Sequence, residues 1–381
     1  MKQISRLLLI GMVFVLIPIL VTAQQRPNDI TGKFYLPPLA TPGEGALLKS
    51  ELIYSLENRP TPEVHASTLI ETSEGIVAAF FSGTHENNPD VGIRVTRLEN
   101  GEWTWPEEVA NGIQNDTLRY PCWNPVLFQP QDKPLMLYYK VGPSPTTWWG
   151  MLMTSEDDGK TWSEPKKLGE APKIGHIIGP VKNKPIQLKS GRIINPSSLE
   201  YIIKERAQDW MVYFEISDDG GETWKVIGPV HDGVEFDAIQ PSILTYADGK
   251  IQAISRTRQD VLSQIWSEDE GDTWGEMTAL ELPNPNSGTD AVTLADGRQL
   301  LVYNHSTKQG DQPKGRNILN LAISSNGTDW TPVMTLENVP IEDGYAYPAI
   351  IQSKDGLVHL TYTYNRRSVK YALVDPKKIK L

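Results

Sequence analysis

The chain has 381 residues and a formal charge of −11, from 47 acidic and 36 basic side chains; this excess argues against nucleic acid and anionic membrane surfaces as partners and leaves an acidic ligand to a local cluster of arginines. A single cysteine, Cys122, excludes an intrachain disulfide framework, so the fold rests on its core, for which the length is ample. Eleven tryptophans and fourteen tyrosines are many, and those not spent on packing suit a sugar site, where flat rings stack on pyranose C–H groups.

The first six residues, MKQISR, precede a run at 7–21 that is apolar except for Gly11 and Pro18, followed by Thr22-Ala23-Gln24-Gln25. That order predicts a secretory signal peptide over residues 1–23, cleaved after Ala23. The alternative, a membrane anchor, would need a longer run, and no cysteine stands at the cleavage position to take a lipid. Losing Lys2 and Arg6 takes the charge to −13. The expected product is a single domain over 24–381, periplasmic or secreted. Residues 24–50 carry several prolines and no clear period, and are expected to close against the last repeat.

Downstream the strand signals recur at 75–81 (GIVAAFF), 134–139 (PLMLYY), 191–195 (GRIIN), 249–255 (GKIQAIS), 297–303 (GRQLLVY) and 356–364 (GLVHLTYTY), several of them after an Asp-Gly or Ser-Gly turn. Between them lie three near-copies of one octapeptide, SEDDGKTW at 155–162, SDDGGETW at 217–224 and SEDEGDTW at 267–274, with worn copies at 324–330 (SSNGTDW) and 100–105 (NGEWTW). In each, an Asp can accept from following backbone N–H groups, a Gly can take positive φ, and Thr and Trp can lock the loop to a strand. Their tryptophans, Trp105, Trp162, Trp224, Trp274 and Trp330, are 57, 62, 50 and 56 residues apart. One four-stranded blade fits each interval, so the chain reads as an all-β, six-bladed β-propeller.

In a propeller the innermost strands lead to the axis, where residues from several blades converge. Candidates at that phase are His65, the loop His85-Glu86-Asn87-Asn88-Pro89-Asp90, Asn124, Lys182, Gln240, Arg256, Arg258, His305, Arg316 and Tyr347.

With its Asp-box repeats the chain resembles the sialidase superfamily over nearly all of residues 24–381. In that family three arginines hold the substrate carboxylate, a Tyr assisted by a Glu is the nucleophile, and an Asp on a mobile loop is the acid/base. The resemblance implies Arg316 in GRNILNLAISSNGTDW as the third arginine, Arg256 or Arg258 in GKIQAISRTRQ as the second, and Tyr347 in AYPAIIQSKDGLVHLTY as the nucleophile. His65 stands where the family has its first arginine, and Gln240 where it has the activating Glu, with Glu235 and Asp237 just upstream. Either Glu86 or Asp90 fills the acid/base place, and His85 lies beside them. An amide cannot accept the proton of a tyrosine, so a simple sialosidase is not expected.

The resemblance implies an exo-acting glycoside hydrolase on an acidic or complex glycan, with a carbohydrate, carboxylated where the arginines are used, as its partner. Two other readings stand beside it: a uronate lyase with His65 or His85 as the base, and a glycan-binding propeller without catalysis. No cofactor and no metal is expected.

Overall fold

A computed structural model describes residues 36–171, 175–203, 206–308 and 315–379; the expected signal peptide lies outside them. The architecture is the expected one, six antiparallel blades, five of them four-stranded and blade 1 five-stranded, with the strands in chain order from the axis outward except for the outermost strand of blade 6. Blade 1 starts at Glu63–Thr72, blade 2 at Cys122–Phe128, blade 3 at Ile186–Gln187, blade 4 at Ala238–Thr245, blade 5 at Asp290–Thr293 and blade 6 at Tyr345–Gln352. The ring is closed by Leu47–Leu52, which pairs antiparallel with Ser368–Val374 as the outer strand of blade 6.

Each octapeptide forms the turn from the third strand of a blade to its fourth. In the copy at 155–162, Ser155 Oγ donates to Asp157 Oδ1 (2.8 Å) and accepts from Gly159 N (2.8 Å), while Thr161 N and Oγ1 donate to the two Asp157 oxygens (2.8 and 2.6 Å). The copies at 217–224 and 267–274 repeat these bonds within 0.1 Å. The glycine is needed for its backbone, with φ of +81°, +97° and +88° in the three loops.

The anchoring tryptophan then reaches across a blade junction, most clearly at Trp274, which stacks on Phe214 of blade 3 at 4.0 Å and 11°. A hydrophobic cluster fills every junction between neighbouring blades, such as Leu244, Ile254 and Leu262 of blade 4 against Leu301, Tyr303 and Ala322 of blade 5. The core is therefore a ring of six wedges around the axis, and apolar burial leaves the axial strand ends free for polar side chains.

Candidate active site

Four of the six innermost strands carry the same irregularity. Two residues face a single residue of the second strand between His65 and Thr68, Trp123 and Val126, Ile239 and Ser242, and Ala346 and Ala349. The extra residue has positive φ in every case, +53° at Ala66, +39° at Asn124, +58° at Gln240 and +50° at Tyr347. Three of them precede a proline, Pro125, Pro241 and Pro348, which denies the strand a ladder donor where the bulge needs none. Positive φ at a non-glycine residue costs on the order of 1 kcal/mol or more. Here the bulge re-aims a side chain.

At blade 6 that side chain is Tyr347. Its hydroxyl accepts from Arg256 Nη1 at 2.7 Å, and the same nitrogen donates to Gln240 Oε1 at 3.2 Å. The rest of the Arg256 fork is fixed by Asn286, whose side-chain oxygen accepts from Nε (3.1 Å) and Nη2 (2.7 Å) and whose carbonyl accepts from Nη2 (2.5 Å). Trp210 lies 5.0 Å from the guanidinium carbon, ring centroid to Cζ. Arg316 approaches from blade 5: its Nη2 donates to the same Asn286 carbonyl at 3.3 Å, and its Cζ lies 5.8 Å from the Tyr347 ring centre. The Arg316 backbone is set by its carbonyl, which accepts from Tyr345 N at 2.8 Å.

Neither arginine meets a carboxylate within salt-bridge distance among the described residues. Burial, and next the like charge of Arg256, work against the Arg316 cation and bring it down to about 10. The His65 ring lies 4.2 Å from that of Tyr347, centre to centre, tilted by 47°, with its Nδ1 3.0 Å from Thr363 Oγ1. Burial first, then the charges of Arg366, Arg316, Arg256 and Lys182, hold His65 well below the ordinary histidine range and therefore neutral. Lys182 is buried beneath the tyrosine and donates to Thr289 O (2.6 Å) and Pro348 O (2.5 Å). Desolvation pulls its ammonium down to about 7. Gly288 closes the floor: a Cβ there would stand 3.3 Å from Lys182 Cε, 3.3 Å from Tyr347 Cγ and 3.4 Å from Gln240 Oε1. The arrangement is a cationic, preorganised cradle around one phenol oxygen.

Residues 74–360 match the BNR repeat-like domain family. The chain belongs to that family. A curated relative, the anhydrosialidase of Macrobdella decora, is 22% identical over 237 residues, which are 57% of this chain and 30% of the relative, so the chain spans under a third of that protein's length. Among solved structures, the NanB sialidase of Streptococcus pneumoniae, as its K499G mutant, superposes with a TM-score of 0.68 at 14% identity over 90% of this chain and 72% of that one. A protein of unknown function from Dyadobacter fermentans superposes with a TM-score of 0.69 at 19% identity, over 88% and 99%. The family and the neighbours' shared fold make this a sialidase-like propeller of the BNR superfamily.

On this BNR propeller Tyr347, Arg256, Arg316, Gln240, His65 and Lys182 come together, although the Lys182 ammonium is spent on two backbone carbonyls. Arg258, the other candidate in its segment, lies 4.1 Å over Trp210 and 4.0 Å from Asp237 rather than on Tyr347. Of the loop acids, Asp90 Oδ2 accepts from Thr84 N (2.9 Å) and Oγ1 (2.6 Å), within its own loop. Glu86 turns inward and accepts from Arg366 Nη2 at 2.6 Å. His85 is exposed, with Nδ1 2.7 Å from the Glu86 carbonyl. Asn124 is buried in blade 2, and His305 pairs with Tyr303 Oη at 2.5 Å in blade 5; the contacts described for them do not reach Tyr347. Sequence reasoning missed Asn286, Trp210, Arg366 and Glu200, whose Oε2 accepts from Trp210 Nε1 at 3.1 Å. Asn286 lies in PNPNSG, the segment leading into the inner strand of blade 5, where no repeat phase singled it out.

Proposed function

We propose that the protein is an exo-acting glycoside hydrolase of carboxylated glycans, exported through its leader at residues 1–23. The observation that carries this reading is the 2.7 Å hydrogen bond from Arg256 to the Tyr347 hydroxyl, set between two arginines without carboxylate partners among the described residues. A permanent cation donating to a phenol oxygen favours the negative charge a nucleophile must carry. This offsets part of what an amide at Gln240 withholds. Arg316 holds the carboxylate of the sugar, with the charge of Arg256 behind it; Tyr347 passes its phenol proton to solvent water and attacks the anomeric carbon as the glycosidic bond breaks, and Glu86, protonated, gives the leaving oxygen its proton and later takes one from the water that displaces Tyr347.

The relatives named sialidase or anhydrosialidase support the substrate class. With His65 neutral and Gln240 uncharged, simple sialosides are poor substrates of this protein, and the sugar is a different carboxylated unit. The test is a screen of acidic oligosaccharides with the wild type and Tyr347→Phe, read by reducing-end release, with ultraviolet absorbance of unsaturated uronate followed in parallel. Release of a saturated acidic sugar that stops in the phenylalanine variant supports the hydrolase. Absorbance from unsaturated product replaces it with the lyase, and rapid cleavage of a methylumbelliferyl sialoside refutes the exclusion of sialosides. Detection of the mature protein, beginning at Gln24, outside the cytoplasmic fraction tests export.

A further inference from the structure

Arg366 belongs to no motif used so far, yet it is the charged group that acts most strongly on His65. It sits in the tight turn joining Val358–Tyr364 to Ser368–Val374, with positive φ at both Asn365 (+49°) and Arg366 (+51°). An arginine held in that conformation is strained. The turn is pinned on three sides: Val64 N donates to Arg366 O (2.8 Å), Asn365 N to Gly344 O (2.9 Å), and Asp343 N to Asn365 Oδ1 (2.9 Å). The turn is thereby fixed against the inner strand of blade 1, with the Arg366 carbonyl on Val64, one residue from His65. Its nearest carboxylate is Glu86 at 2.6 Å, with Glu63 farther off at 3.8 Å.

The Arg366–Glu86 pair is partly wet, its side chains 20% and 35% exposed, and such pairs are worth only about 0–1 kcal/mol. Around it lie the buried Arg256 and the partly buried Arg316, neither within salt-bridge distance of a carboxylate among the described residues, although Glu200 acts on Arg256 and Glu86 on Arg316 through space. An anion seated within this cluster meets three arginines, whereas Glu86 makes its ion pair with Arg366 alone and acts on Arg316 only through space. We propose that the Glu86 carboxylate is an exchangeable occupant of an anion position on Arg366, that the carboxylate of an incoming sugar takes its place, and that Glu86, released toward the scissile bond, takes up a proton from solvent water that it then gives to the leaving oxygen. Arg366 is then a specificity-determining residue, because a neutral sugar does not dislodge Glu86 and meets the acid still tied. This rests on the carboxylated-glycan reading and adds to it the coupling of acid delivery to ligand charge.

Calorimetric titration with free glucuronic acid and free N-acetylneuraminic acid at fixed ionic strength tests the exchange in the wild type, Glu86→Gln, Arg366→Gln and the double variant, with melting curves as the folding control and Arg366→Lys as a charge-retaining second variant. Removing the internal competitor tightens binding of the acid by about tenfold in Glu86→Gln, and removing the cation weakens it by about tenfold in Arg366→Gln. In the double variant the gain from Glu86→Gln disappears, since its partner is gone. Arg366→Lys retains part of the affinity. Equal or weaker binding by Glu86→Gln, or a gain that persists without Arg366, overturns the exchange while leaving the carboxylate cradle standing. Binding of neither acid to any form overturns both.

Discussion

The two ends of each blade solve opposite problems. On the rim, the Asp-box loops are locally complete: a serine, an aspartate and a threonine satisfy one another and the turn's N–H groups, and the same bonds recur in three copies within 0.1 Å. At the axis the blades diverge. Four strands share a bulge, but it presents Ala66, Asn124, Gln240 and Tyr347 in turn, and the cations gathered there oppose one another. Repetition marks where the scaffold is stabilised, and departure from it marks where the chemistry is placed.

The sharpest way to break this contrast is to remove the one atom on which the axis converges. Tyr347→Phe takes away the acceptor of Arg256 Nη1 and is expected to lower turnover at least about a thousandfold, or about 4 kcal/mol, with little change in the melting temperature. A phenylalanine variant that keeps a tenth of the activity removes Tyr347 from the chemistry.

Acid separates the interior from the rim by pH window. Burial lowers His65, His231, His305 and His359 below the ordinary histidine range, His305 to about 4. The unfolded chain takes up these protons near pH 6.5 and the folded protein does not, so stability is complete above about 6.5 and falls as the pH drops. His305 alone accounts for about 3 kcal/mol by pH 4, at about 1.4 kcal/mol per pH unit. The rim responds later: the Thr161 hydroxyl and N–H and the Ser155 hydroxyl hold Asp157 down to about 2, and its contribution, complete above about pH 4, is lost as the pH falls toward 2. Melting curves between pH 7 and 4 should decline, and His305→Asn should flatten part of that decline. A flat curve to pH 5 refutes the assignment.

Trp274→Ala tests the rim itself. Losing the stack on Phe214 and the bond from its Nε1 to Gly271 O (3.1 Å) should cost about 3 kcal/mol, a fall of about 4 °C in the melting temperature of a domain this long, with turnover at the permissive temperature within a factor of two. A loss under 1 kcal/mol means that the Asp-box tryptophans are not structural anchors.

The rim was legible in the sequence because its bonds span at most four residues, so composition and order suffice to read the loop. The blade count followed from the spacing of its tryptophans. Of the axis, the sequence carried the phase of each inner strand, and through resemblance it singled out Tyr347, Arg256 and Arg316. It did not carry direction: Asn124 stands at a bulge like Tyr347 yet stays buried in blade 2, and His305 follows the second strand of blade 5 and turns back onto Tyr303. Arg366 and Glu86 are 280 residues apart in the chain, and only closure of the ring between blades 6 and 1 brings them together. Trp210 and Glu200 likewise become visible through the pairing of two long strands in blade 3.

The smallest effect discriminates between two carboxylates in one loop. Asp90 and Glu86 are four residues apart and equally plausible on sequence, yet Asp90 spends its Oδ2 on Thr84 in an exposed turn, whereas Glu86 reaches Arg366. Asp90→Asn keeps an acceptor at the same place and loses only a charge-assisted bond in water, so stability should change by less than about 1 kcal/mol and turnover by less than about threefold. Glu86→Gln, matched in size and equally mild toward the fold, should remove most of the activity with a leaving group that needs protonation and spare it with one that does not. That pairing keeps a loop distortion from imitating a lost acid, since distortion would slow both substrates alike. If Asp90→Asn shows the leaving-group dependence and Glu86→Gln does not, the acid is Asp90, and the loop must turn over on substrate binding to present it.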